Sequence, residues 1–86
     1  MESEIKIAYY RKTDWKKLLK SIDDPESMHE NWNDWHKSFL KTKKELKTFG
    51  FKIKEMTIDI NDLNEYCKKR NIQNTGQARS QYTSQL

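Results

Sequence analysis

At 86 residues the chain has room for one domain and no second core, and a domain of this size hides only about 60 to 65 per cent of its unfolded surface. Apolar residues make up 34% and charged residues 35%, so the three Trp, four Tyr and three Phe must fill the core by size rather than by number. The single cysteine excludes an internal disulfide and a cysteine-based zinc cluster, and the net charge of +4 favours encounters with nucleic acid or acidic proteins.

No apolar run reaches the length of a signal peptide core or a membrane span, which predicts a reduced, cytoplasmic protein with no membrane partner. The abundance of Lys, Asn and Ile suggests an AT-rich bacterial or viral coding sequence. The shortage of core material would also be relieved by self-association.

Residues 4–10 alternate apolar and polar, with Ile5, Ile7 and Tyr9 on one face, and predict a strand. Thr13 then reads as an N-cap with Asp14 in the first turn, and Trp15, Leu18, Leu19 and Ile22 recur at the spacing of a helix with one buried face. Asp23-Asp24-Pro25 ends that helix, because the residue before a proline resists the helical conformation.

The stretch from Asp24 to Phe51 organises the rest. Met28, Trp32, Trp35, Phe39, Thr42, Leu46 and Phe49 recur at alternating steps of four and three, which keeps them on one stripe of a long helix. Either Asp24 with Pro25, or a capping box of Ser27 and Glu30, would start it. Gly50 suits the left-handed residue that ends it, with Phe51 folding back onto Leu46.

From Phe51 to Ile60 the period changes to two. Phe51 and Ile53 share one parity while Met56, Ile58 and Ile60 share the other, which predicts a β-bulge near Lys54-Glu55 or a strand confined to residues 55–60. Asn61 reads as the cap of a third helix, with Asp62 in its first turn, Leu63, Tyr66 and Cys67 facing inward, and Asn71 at the stop.

Residues 1–72 are thus read as one compact α+β domain, ordered β-α-α-β-α. Residues 73–86 are read as a polar tail or a short helix docking through Ala78 and Tyr82, with Arg79 its only charged side chain. A small two-stranded sheet packs on the long helix, or two copies complete a four-stranded sheet by dimerisation, or a dimer forms through the long helix, whose stripe has coiled-coil spacing.

No catalytic residue, cofactor or metal site is assigned. His29 and His36 are seven residues apart, two helical turns, which is too far for two ligands of one metal. Cys67 falls mid-helix on the apolar side, without the cation or helix N-terminus that activates a thiol. The aromatic richness points instead to binding. Tyr10, Trp32 and Trp35 are the candidate anchors of a protein interface, which in a homodimer would coincide with the core. Lys37, Lys41 and Lys44 line the opposite side of the long helix and are the candidates for a nucleic-acid backbone. The expectation is a small non-enzymatic protein that binds an acidic protein partner or itself, with nucleic-acid binding the alternative.

Overall fold

The computed structural model describes residues 4–86. Its element order is β1 (Glu4–Tyr9), α1 (Trp15–Ser21), α2 (Trp32–Thr48), β2 (Lys52–Thr57), α3 (Ile60–Lys69) and α4 (Gly76–Ser84), with single 3-10 turns at Lys12–Asp14 and Pro25–Ser27. This is an α+β fold built on two parallel strands and one long helix. The strands pair from Glu4 opposite Lys52 to Tyr9 opposite Thr57 without interruption.

That unbroken register removes the expected bulge. Ile53 lies in register with Ile5 on the face where Tyr9 meets Trp35 and Phe39 of α2. Met56 lies in register with Ala8, on the other face. The two parities of β2 therefore belong to two faces of the sheet, and no change of phase is needed. On that other face α4 packs beside β1, and its buried Ala78 and Thr83 are small enough to permit a close approach.

The long helix is shorter than its sequence suggests. It starts at Trp32, capped by Asn31, whose Oδ1 accepts from the Asp34 N–H at 2.9 Å while its Nδ2 donates to Asp34 Oδ2 at 3.1 Å. Residues 25–27 instead form a 3-10 turn with Pro25 at its first position, and Met28 leaves it in an extended conformation. Asp24 is unavailable as a cap, because its carboxylate is held by Arg79 and the Gly76 N–H. The far end matches expectation. Gly50 has φ 90°, its N–H donates to Lys47 O, and the Phe51 N–H reaches back to Leu46 O at 3.1 Å, the Schellman pattern. Asn31→Ala removes both reciprocal bonds and is expected to cost about 1 kcal/mol. In urea the midpoint should fall while the slope stays unchanged.

Two other helix starts also shift. The cap of α1 is Asp14 rather than Thr13, which sits in the preceding 3-10 turn. The cap of α3 is Asp59, whose Oδ1 accepts from the Asp62 N–H at 3.0 Å, rather than Asn61. Asn71 does end α3, in the left-handed conformation at φ 53°.

The core runs between α1, α2, α3 and the sheet. Leu18, Ile58 and Leu63 are fully buried at its centre, and Tyr10, Trp15, Trp35 and Phe39 form an aromatic layer beneath α2. The seam of α2 that faces the core is Trp35 and Phe39, flanked by the half-buried Trp32, His36, Lys43 and Leu46. Thr42 and Phe49, placed on the stripe by spacing, are exposed, Phe49 at 77%. The end of α2 carries Phe49 away from the core, so among the described residues nothing closes over its ring.

Candidate interaction site

The three aromatic anchor candidates separate in the structure. Tyr10 and Trp35 belong to the core, at 4% and 9% exposure, and so present no surface to a partner. The reason is packing: a two-stranded sheet offers little cover, and the Trp35 ring fills the gap between Tyr9, Tyr10, Trp15 and Phe39, with centroids 5.1–5.8 Å away. Trp32 remains half-buried. Its Nε1 donates to the Tyr10 carbonyl at 2.8 Å, its ring stacks on His36 at 4.3 Å, and Lys12 Nζ lies 5.9 Å from its centroid. It is thus a ring fixed on its inner edge with its outer edge in solvent.

The lysine candidates lie where helical spacing puts them. Lys37, Lys41 and Lys44 are exposed on the outer side of α2, facing away from Trp35 and Phe39, with Lys47 beside them. Among the described residues none of these four takes part in an ion pair; Lys43, closer to the sheet, is the one on α2 that does, with Glu55. Leu40 sits between them, three residues after Lys37 and four before Lys44, and is 49% exposed. The outer face of α2 is therefore an apolar side chain framed by unpaired cations.

Beside the N-terminal end of α2 is an open groove of about 710 Å³ with the opposite pattern. Leu19, Pro25 and Met28 contribute apolar surface, and Glu26, Glu30 and Asp34 supply three carboxylates. Glu26 and Glu30 have no ion-pair partner among the described residues. The sequence has no lysine or arginine between Lys20 and Lys37, yet five acids in that interval, and most of the groove's lining, His29 included, comes from that block.

A third feature is a buried polar clasp that spacing alone did not reveal. Arg79, at 5% exposure, donates through Nη1 to Asp24 Oδ1 at 2.8 Å and through Nη2 to Asp24 Oδ2 at 3.2 Å. Asp24 Oδ2 also accepts from the Gly76 N–H at 2.9 Å and from Ser27 Oγ at 2.9 Å. The hydrogen bond from Arg79 holds the Asp24 carboxyl down at about 2, reinforced by Gly76 and Ser27. Next to it the buried Asn74 receives its own set. Its N–H donates to Asp23 Oδ2 at 2.7 Å, and its Nδ2 donates to Asn64 Oδ1 at 3.0 Å. Arg79 Nη1 donates to the Asn74 carbonyl at 3.1 Å. This clasp ties residues 74–79 to residues 23–24, so α4 is fastened to the α1–α2 loop. The available signal was Arg79 standing as the lone charge in an otherwise uncharged segment beside Ala78.

Arg79 also borders a groove of about 350 Å³ between β1 and α4, with Lys6, Ala8 and Tyr10 across from it. Burial pushes the Tyr10 phenol up, and the Arg79 charge and hydrogen bond oppose that shift. Both charges of the clasp are already matched there. Cys67 is a buried free thiol, raised by burial and then by the Asp23 charge, and is not poised as a nucleophile. His29 is exposed in the loop before α2 while His36 is engaged with Trp32, so the two are not brought together. Among the described residues no group of three His, Cys, Asp or Glu is placed to hold a metal ion, and no helix is long and apolar enough to cross a membrane.

No family model, curated protein or solved structure matches this chain.

Proposed function

We propose that this protein is a small non-enzymatic binding protein whose interface is the outer face of α2, and that it takes an acidic protein segment carrying an apolar side chain. The observation that carries this reading is Leu40, half exposed amid Lys37, Lys41, Lys44 and Lys47 on a face that no other element covers among the described residues. Four unpaired ammonium groups attract carboxylates from solution, and the leucine adds a non-directional contact once the chains meet. A cytoplasmic setting goes with this reading, since the one cysteine is a buried free thiol.

Nucleic-acid binding is the second reading, and one observation favours it: Phe49, 77% exposed, stands just past the end of the lysine row, where a base could stack on its ring. The two readings separate by titrating isotope-labelled protein with an acidic Glu/Leu peptide and with single-stranded oligonucleotides, at about 50 and 200 mM salt. The peptide is expected to shift the resonances of Leu40 and its flanking lysines, and Lys37→Glu/Lys41→Glu/Lys44→Glu is expected to abolish the shift. Oligonucleotide binding that moves Phe49 and exceeds peptide binding about tenfold would favour the second reading. If neither ligand perturbs α2 at low salt, the face is a solvated surface and the proposal fails.

A further inference from the structure

Resting on that reading of the α2 face, we infer that its partner is a second copy of the same chain, paired antiparallel along α2.

The argument starts from charge order. Acids occupy residues 23–34 with no lysine or arginine among them, and lysines dominate residues 37–54. Within one molecule the two blocks do not meet: Asp34 and Lys44 are held ten residues apart along α2, about 15 Å, and Glu26 and Glu30, in the segment before the helix, have no ion-pair partner among the described residues. A second chain running in the opposite direction brings each acid block against the other chain's lysine block. A two-fold axis makes the match twice over, since every contact of residue i with residue j is repeated as j with i. Lys41 of one chain then lies along Asp34 of the other, with Lys44 beyond it toward the Glu30 that precedes the partner helix.

The two surfaces are complementary in kind as well as in sign. One is an apolar side chain among cations, and the other is an open groove in which Leu19, Pro25 and Met28 lie among His29 and the carboxylates of Glu26, Glu30 and Asp34. Parallel pairing would instead set lysine against lysine along the whole helix. The other open surface, the free edge of β2, gives no such match. Antiparallel pairing of Lys52–Thr57 with itself about a two-fold axis places like charges opposite each other, whichever of Ile53, Lys54 or Glu55 lies on the axis.

The test uses two charge-reversed forms of the full chain, changed only at exposed positions: Glu26→Lys/Glu30→Lys and Lys41→Glu/Lys44→Glu. Molar mass is read by light scattering at about 50 and 500 mM salt, with circular dichroism as the check on folding. The unmodified protein is expected to weigh twice 10.4 kDa at low salt and to fall to the single-chain mass at high salt. Each variant alone should remain single. An equal mixture of the two should recover the double mass, because reversed acids then face reversed lysines. Leu40→Ser should weaken the pairing of the unmodified protein about tenfold or more. A single-chain mass for the unmodified protein at low salt overturns the inference. So does dimerisation by either variant alone, or failure of the mixture to associate. If the acidic peptide still shifts Leu40 in such a single-chain protein, the pairing alone is wrong and the binding face stands; if the peptide does not bind either, the face itself is not a site.

Discussion

Arg79→Ala is expected to be among the most damaging single changes in this protein, costing about 3–5 kcal/mol of folding stability. The substitution leaves Asp24 without its guanidinium, in a position where the carboxylate is drawn in by Gly76 and Ser27. It also strips the Asn74 carbonyl of one of its donors and leaves α4 tied to the α1–α2 loop only through the Gly76 and Asn74 bonds. A domain of this size has only about 4–13 kcal/mol to lose, so the urea midpoint should collapse or the variant should be unfolded at 25 °C. Replacing both partners, Arg79→Met with Asp24→Leu, should recover much of the loss, because no unpaired charge then remains inside. If the double change is as damaging as the single one, the clasp matters for its hydrogen-bond geometry rather than for matched charge.

The same pair sets the acid limb of stability. Asp24 has a folded value of about 2 against 3.8 for a free carboxyl, so the folded state binds fewer protons than the unfolded chain in this range. A depressed value stabilises the fold above the unfolded pKa. The contribution, about 1–2 kcal/mol once solvent screening of the partly exposed carboxylate is allowed for, is fully present above about pH 4 and is lost as pH falls toward 2. In Asp24→Asn the dependence over that window should flatten, while stability near neutral pH should already be lower.

Trp35→Ala is the other large expected effect, also about 3–5 kcal/mol, from lost burial and the cavity left among Tyr9, Tyr10, Trp15 and Phe39. Near-UV circular dichroism should lose most of its aromatic signal as the ring layer comes apart. Trp32→Ala should cost clearly less, because its ring is half exposed and is held by the bond to the Tyr10 carbonyl and the stack on His36 rather than by enclosure in the core. The ordering matters more than either number. If Trp32 proves the costlier residue, the core does not centre on Trp35. It follows that Trp35→Ala tests folding and says nothing about a binding surface; that question belongs to Leu40 and the lysines.

The candidate surface was legible in part. Lys37, Lys41 and Lys44 could be placed on the outer side of α2 from sequence, because helical geometry alone fixes which residues share a face. The acid-lined groove could not, since it requires the Pro25–Ser27 turn to fold beside Leu19, a contact between elements. Tyr10 and Trp35 were misplaced as surface candidates for a related reason. Local spacing separates the two sides of an element but does not say which side another element will cover.

What the sequence determined by itself is the order of elements and the places where backbone chemistry is local. Gly50 and Asn71 end α2 and α3 because left-handed conformations come cheaply to those residues, whatever surrounds them. The inward faces of α1 and α3 follow from periodicity in the same way. Tertiary structure decided that α2 does not begin at Asp24, because the cap offered there was claimed by an arginine 55 residues away, which left the local Asn31–Asp34 cap to start the helix. It also decided that β2 needs no bulge, because its two apolar parities lie on two faces of the sheet. Phe49 is exposed for the same kind of reason: its helix runs on past the core it covers. In each of these cases the deciding partner is distant in the chain, and a residue's spacing to its neighbours carries no record of it.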